Sequence, residues 1–542
     1  MMVSKIQTIL ISNRLRNAIT PLIALTLLLS ISFATNYPSF SAWFLPIDDH
    51  EYVRYLGTNS LQIWQVPYRL FQTTEVGNFG HSSRFRPIYY LIRLLLISTI
   101  GGHPGAAYFF RAAIQAVVAF MAFVACRNVF QKTSSSVLER RLRDTWSLII
   151  AIGVVGSFSW IEISTKLGPA ELELAFGVGL TVLALTKMIT ITGTTNRFPN
   201  NYFAAMLLGV VIASGSKENG TITLVPLAYI LFKERQILRQ SAFKVVMILI
   251  ALITPLLVLS NTVIDNLRNG ESYQGRKFTT PQIWDSFYSH AQTPYFLIII
   301  ICAILNYLLW SVTKTTSDKA GLVIVAFFFL LNISESFFYG DNAAPIRYKL
   351  LSDLSFVLVV GITFFQLFNY FCKQNKIHPL GAITAFLVLV FAVLVINSPI
   401  QNLRNQHNQS EWTFNVSSDW HKSIAELSNL ADDNNTTPIL IHEFNSALDL
   451  EMTVSLIRFL KFNGVTNGIF LQIHEQQNDW DEALRGLTSY SKYGNLDLGI
   501  SPLSQLSKAA KSICISFGFN LDNPNIPNFE SINNGCGFIW TF

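Results

Sequence analysis

Asp48, Asp49 and Glu51 stand within four residues of one another in PIDDHEYVRYLG, shortly after the first long apolar run ends. Carboxylates this close repel one another, so one of them must hold its proton more tightly or gain a cation. A divalent metal ion is one such cation; general-base chemistry is the use that suits the acid left ionised. An acidic first helical turn, favoured by the helix dipole, would give the same pattern without chemistry. Further along, HSSRFRPIYYLIR places Arg84 and Arg86 just before Pro87 and the Tyr89, Tyr90 pair. Guanidinium groups stay charged at any working pH and match the oxygens of a phosphate. Headgroup binding by an interfacial helix is the plainer use of the same residues.

Four more charged positions lie at the ends of apolar runs: Arg111 in YFFRAAIQ, Glu171 in KLGPAELEL, Lys217 with Glu218 in SGSKENG, and Arg347 with Tyr348 in APIRYKL. Ionisable groups near hydrocarbon are expensive to hold there, which makes each a functional candidate. Simple pairing, Lys217 with Glu218 or Glu171 with Lys166, is the structural alternative. The chain has no Gly-rich phosphate loop ending in Lys and Ser or Thr, which argues against a nucleotide-driven pump. Its five cysteines show no metal-ligand spacing. No inverted repeat of the transporter kind is evident.

The elements that must position these residues are membrane helices. Of 542 residues, 51% are hydrophobic and 13% charged, against roughly 25% charged in a soluble domain. Runs such as 18–34, 106–129 and 356–371 carry little or no charge, and only helices or closed barrels can cross lipid with their backbone satisfied. The opening run lacks a small-x-small cleavage site and reads as a retained anchor. The formal charge of +6 is spread over short links, so it reports topology and speaks against nucleic acid. Basic clusters at 127–144 and 233–244 belong on the cytoplasmic side.

Those constraints predict about eleven spans, near 18–35, 105–126, 146–160, 169–188, 202–214, 220–232, 245–261, 294–312, 320–333, 349–371 and 379–396. The segment 88–100, short and carrying Arg93, reads as an interfacial helix. The outer loops 36–105 and 261–293 and everything after 396 then face outward. Long ordered loops usually carry function.

From 397 onward the chain turns polar and Asn-rich, predicting a soluble α/β domain over 397–542. PILIHE and GIFLQIH read as buried strands around an amphipathic helix at 448–462. The late runs 512–519 and 536–542 read as paired strands that a disulfide between Cys514 and Cys536 would join, given an oxidising compartment. The His442, Glu443 and His474, Glu475 pairs read as ordinary surface. The sequons at Asn408, Asn415 and Asn435 fit an endoplasmic-reticulum lumen, but an Asn-rich segment yields them by chance.

Taken in order, these motifs resemble the GT-C superfamily of membrane glycosyltransferases, in the group that includes protein mannosyltransferases and aminoarabinose transferases. The resemblance covers roughly 18–396 and rests on Asp48 and Asp49, the stretch RFRPIYYLIRLL, Arg111, the GPAE turn with Glu171, the KEN turn with Lys217 and Glu218, and the late Arg347, Tyr348 pair. It implies an inverting transfer from a polyprenyl-phosphate-linked sugar to a lipid, glycan or protein acceptor at the outer face. Asp48 or Asp49 would be the base, Asp48 favoured as the first acid; no cofactor is certain, a divalent cation at that pair being one option. Arg86 and Arg347 would hold phosphate, with Arg84 and Lys217 behind them, and Glu51, Arg111, Glu171, Glu218 and Tyr348 would complete the substrate site. A bacterial inner membrane is the implied location, with the C-terminal domain in the periplasm. The second acid is Asp where many members carry Glu, and RFRP replaces a His and double-Pro pattern, so donor and acceptor do not transfer. The WWDYG-type signature is absent, which speaks against transfer of a whole glycan to Asn.

Two rival functions use the same residues. A transporter or lipid-linked glycan flippase would line a path with them, yet has no need of an acidic pair beside an Arg-rich interfacial helix. A non-catalytic scaffold would tolerate Asn at both Asp48 and Asp49.

Overall fold

The computed structural model describes residues 2–46, 49–56, 61–77, 79–80, 84–130, 137–192, 198–235, 241–269, 280–339, 346–373, 379–433, 439–443, 449–467, 469–473, 512–516 and 536–541. Helix α1 (Met2–Asn36) leads through a 3-10 turn, Tyr37–Ser41, into the first long loop, where α2 (His50–Leu56), α3 (Val66–Leu70) and α4 (Thr74–Gly77) are short. After them come α5 (Pro87–Ile100) and α6 (Pro104–Val129), each opened by a proline, whose fixed φ and missing N–H suit a first helical turn. At 14 residues α5 is about 21 Å long, too short for a hydrocarbon core of about 30 Å.

The bundle continues through α7 (Val137–Val155), α8 (Trp160–Ile163), α9 (Glu171–Thr192), α10 (Asn200–Ser216), α11 (Leu224–Lys233), α12 (Ala242–Asn269), α13 (Thr280–Ala291), α14 (Pro294–Thr313), α15 (Thr316–Tyr339), α16 (Leu350–Lys373) and α17 (Pro379–Asp433). Among the described residues seven helices are long and apolar enough to cross a membrane: Ile19–Ser41, Pro104–Val129, Glu171–Ile191, Ala242–Thr262, Tyr295–Thr313, Thr316–Ser334 and Arg347–Phe371. The chain is an integral membrane protein. The other four expected spans fall on α7, α10, α11 and α17; α10 and α11 have only 17 and 10 residues, and the side chains of 379–396 lie outside the described residues.

Burial sorts the spans into central and peripheral. The apolar stretches of Pro104–Val129 and Glu171–Ile191 are each 61% buried, whereas Ala242–Thr262 is 17% and Tyr295–Thr313 28% buried; the latter two leave most of their apolar surface to lipid. Phe123, Phe130, Trp160 and Phe328 fill the central core. There α9 and α10 touch backbone to backbone: a Cβ on Gly177 would fall 2.5 Å from the Ala213 amide nitrogen and 2.8 Å from the Gly209 carbonyl oxygen. Without a hydrophobic force between helices in lipid, such small-residue contacts supply the packing.

α17 does not stop where the composition changes at 397. It runs on as one helix through Pro399 to Asp433, and its C-terminal half lies against the start of the first loop, Ser410 Oγ accepting from the Ser39 amide at 2.9 Å and Ser417 Oγ from the Trp43 amide at 3.0 Å. Beyond it, β1 (Ile439–Glu443), α18 (Asp449–Phe462), β2 (Ile469–Ile473), β3 (Ser512–Ser516) and β4 (Cys536–Thr541) follow, and the strands form a parallel sheet ordered β2-β1-β3-β4. Leu456, Phe459 and Leu460 of α18 share a buried cluster with Phe44, Tyr52 and Trp420, tying this segment to the first loop. Cys536 pairs in register with Ser512, and Cys514 with Ile539; the cysteine side chains, and with them the expected disulfide, lie outside the described residues, as do the side chains of His442 and Glu443 and all of His474 and Glu475.

Candidate active site

Asp49 sits just before α2, fully buried. Its Oδ2 accepts from the Leu45 amide at 2.9 Å and the Tyr108 hydroxyl at 3.0 Å, while Oδ1 accepts from the Leu167 amide at 3.0 Å. One carboxylate thus joins the first loop, the second turn of α6 and the chain that leads into α9. Asp48 lies outside the described residues, and so does the Glu51 side chain. Among the described residues no group of three or more His, Cys, Asp or Glu side chains comes together to hold a metal.

The stretch between α8 and α9 is held from several sides, because the Ile163, Leu167, Gly168 and Pro169 carbonyls take their donors from side chains. Arg111 supplies most of them: Nε and Nη2 donate to the Ile163 carbonyl at 3.2 and 2.9 Å, Nη1 to Leu167 at 3.3 Å and Nη2 to Pro169 at 3.0 Å. The Tyr89 hydroxyl donates to the Gly168 carbonyl and accepts from Arg93 Nη1 at 2.7 Å. The guanidinium of Arg111, 2% exposed, is therefore turned onto backbone, and the geometry gives it the work of a brace.

What the brace positions is Glu171, at the first residue of α9. Its carboxylate receives Lys217 Nζ, and the two side chains are 4% and 1% exposed. Lys217 reaches it from a tight reversal in which the 3-10 turn Glu218–Thr223 folds back over the end of α10; a Cβ on Gly220 would lie 2.0 Å from the Ala213 carbonyl oxygen. Burial pushes the Lys217 ammonium below its ordinary pKa, against the pull of Glu171. Its Nζ also lies 4.3 Å over the ring of Tyr348, and the Arg347 guanidinium lies 5.3 Å from that ring's centroid.

Around this pair runs a chain of alternating charge. Arg86, 7% exposed, has Nε 3.4 Å from Glu218 Oε1 and 3.8 Å from Glu75 Oε2; Glu75 Oε1 lies 3.9 Å from Arg84 Nη1. Arg347 gives its amide to Glu162 Oε2 at 3.1 Å and its Nη1 lies 3.9 Å from Glu162 Oε1, which Lys166 also meets at 3.1 Å. Lys217, Arg347 and Arg86 all act electrostatically on Glu171. The first loop, the GPAE turn, the KEN turn and the late RY turn therefore share one electrostatic neighbourhood.

Among solved structures, the chain is similar to ArnT. ArnT from Cupriavidus metallidurans bound to undecaprenyl phosphate superposes with a TM-score of 0.41 at 11% sequence identity, over 87% of this chain and 88% of that one. The apo state of the same protein gives 0.40 at 12% identity over the same shares. Neither the protein-family models nor the curated proteins contain a match to the sequence.

The structure pairs the charges differently from the simple alternatives in the sequence. Lys217 meets Glu171 where Glu218 was its neighbour in sequence, Glu218 goes to Arg86, and Lys166 goes to Glu162 four residues before it. Glu75 and Glu162 were not singled out by the sequence; Glu162 alone had a local signal, its i,i+4 spacing to Lys166. Glu173, also missed, is 5% exposed in the first turn of α9 and lies within electrostatic reach of Arg111 and Arg93. Arg93, which marked α5 as interfacial, is buried with its guanidinium 4.5 Å from the Tyr52 ring centroid. Burial pushes the Tyr52 phenol above its ordinary pKa, so it is neutral beside that cation.

Proposed function

We propose that this chain is an inverting glycosyltransferase that moves a sugar from a polyprenyl-phosphate donor to an acceptor at the outer face of the membrane. The observation that carries the reading is the convergence of Lys217, Arg86, Arg347 and Tyr348 around Glu171, brought from four segments that the sequence places on one side of the bilayer. The resemblance of the ordered motifs to the GT-C superfamily supports it.

In the proposed reaction an acceptor hydroxyl attacks the anomeric carbon as the bond from that carbon to the phosphate oxygen breaks. Asp48 takes the hydroxyl proton. Asp49 is the weaker choice for that role, because both its oxygens already accept hydrogen bonds from the fold. The leaving lipid phosphate gains charge, and cations preset around it lower the barrier most in a site shielded from water. Arg86 and Arg347 would contact it from the two ends of the cluster, with Lys217 between them and Arg84 behind Arg86. Glu171, Glu162, Glu218 and Glu75 would keep those cations apart and oriented until the donor binds.

The proposed topology has eleven spans with the C-terminal α/β segment outside, covering the acceptor side. The competing reading is a lipid-linked glycan flippase, for which the cations would line a path. Purified protein in proteoliposomes, supplied with radiolabelled polyprenyl-phosphate sugars, separates them. Transfer is expected to release free polyprenyl phosphate and to stop on Asp48→Asn. Lipid translocation with no sugar released, unchanged by Asp48→Asn, would overturn the enzyme in favour of the flippase.

A further inference from the structure

A second site lies away from the Lys217 cluster and shares no residue with it. A cleft of about 670 Å³ opens where the first outer loop begins, between the turn that joins α5 to α6 and the outer half of α17; Phe40, Trp43, His103, Ser418, His421 and Lys422 are among its walls. That volume falls inside the range of about 300–1,000 Å³ usual for small-molecule sites. Among the described residues no carboxylate is in its lining. Lys422 meets Asp419 at 3.9 Å with both side chains mostly exposed, a weak solvated pair that leaves its charge available to a ligand. Trp43 packs its ring 4.2 Å from the His421 ring and 4.9 Å from Phe459, which fixes the aromatic wall.

The cleft continues into a surface of opposite character. Phe40, on its rim, meets Phe109 at 5.5 Å and Phe33 at 6.0 Å, and Phe33 stacks on Phe109 at 4.6 Å. Phe33 and Phe109 belong to the two spans Ile19–Ser41 and Pro104–Val129, and Tyr37 and Phe109 are 69% and 48% exposed. Both spans end at the level of the cleft, which puts the aromatic face beside lipid tails and Lys422 at the headgroup layer. A lysine ammonium at a headgroup layer attracts an anionic headgroup within a Debye length, and a Trp at the interface anchors the amphipathic boundary.

We propose that this cleft binds the phosphate headgroup of an anionic membrane lipid whose acyl chain lies along the Phe33, Phe40 and Phe109 face. The site is independent of the transfer reaction and stands or falls without it. Its position gives it a structural consequence, since Ala42 and Trp43 lead directly to Leu45, whose amide holds Asp49, and Ala106 is two residues from Tyr108, which holds the same carboxylate. A lipid seated there stiffens the segments that fix Asp49.

The test is Trp43 emission from protein in neutral detergent micelles, taken as the difference between wild type and Trp43→Phe. Titration with dioctanoyl phosphatidylglycerol is expected to give a saturable change, weakened about tenfold or more, or roughly 1.4 kcal/mol and upward, by Lys422→Ala, an exposed position that folding does not need. Dioctanoyl phosphatidylcholine is expected to bind less tightly, and glycerol 3-phosphate alone not to saturate. Should glycerol 3-phosphate saturate as readily as the lipid, the cleft takes a free phosphate and the lipid site is wrong. Equal binding by wild type and Lys422→Ala, or no saturable change, also overturns it. If Trp43→Phe does not fold, native mass spectrometry of phosphatidylglycerol retained by wild type and Lys422→Ala decides the same question.

Discussion

Lys217 and Glu171 come from turns 46 residues apart in sequence and meet as a buried ion pair where α9 begins and α10 ends. Two charges out of water attract strongly only when both are present, and removing one strands the other. The pair is surrounded by Arg86, Arg347 and Tyr348, which makes it the point where the fold and the proposed phosphate site depend on each other.

Replacing one partner is therefore expected to hurt more than replacing both. Glu171→Gln or Lys217→Met alone should lower stability by about 3–5 kcal/mol, whereas the double variant should recover a large part of that loss. Thermal unfolding in detergent checks this. Double-variant losses equal to the sum of the single ones would mean the two groups do not interact.

Asp48 and Asp49 should separate by assay. Asp49→Asn exchanges an oxygen acceptor for an amide that faces a donor, at a site holding three hydrogen bonds; a loss of roughly 1.5–3 kcal/mol per bond to a charged group is expected, seen as a lower melting temperature. Tyr108→Phe should show a smaller loss of the same kind. Asp48→Asn is expected to keep its melting temperature and lose sugar transfer. The reverse assignment of these two phenotypes would make Asp49 the base.

The apolar runs of the sequence locate the seven span-forming helices among the described residues because hydropathy reports transfer into lipid directly, and the short helix α5 follows from its apolar length. The shared neighbourhood of Arg86, Lys217 and Arg347 rested on sidedness alone. Partners were much harder to read. Glu75 and Glu162 bear on the same cations from the first loop and from α8, and nothing in local spacing says which of several acids a buried Arg will meet. Arg111 looked like a ligand-binding charge by depth in its span, yet carbonyls freed by the irregular stretch after α8 had a prior need for its donors. Composition marked a boundary at 397 that the backbone ignores, because a helix changes from apolar to polar residues without having to end.

Arg347 offers the cleanest separation of binding from folding. Its side chain is about one-fifth exposed, and its ion pair with Glu162 is long at 3.9 Å, so Arg347→Ala should change stability by about 1 kcal/mol or less. If it contacts donor phosphate, the KM for polyprenyl-phosphate sugar should rise by about tenfold or more. Unchanged donor kinetics would remove Arg347 from the site and leave it a structural role beside Glu162, Tyr348 and Glu171.

Arg111 tests whether the brace reading is right. A guanidinium can fork toward the Ile163, Leu167 and Pro169 carbonyls at once; an ammonium on a flexible stem cannot reproduce that fixed geometry. Arg111→Lys and Arg111→Met should both destabilise the protein, by about 2 kcal/mol or more, since buried carbonyls lose their donors. The damage should appear locally as faster amide exchange over 163–170, where Leu167 supplies the amide to Asp49 and Ala170 precedes Glu171. Transfer would then fail because the acid and the Lys217 partner are no longer held in register. If either variant instead keeps its melting temperature and exchange pattern while donor affinity alone falls, Arg111 touches substrate and the brace is mistaken.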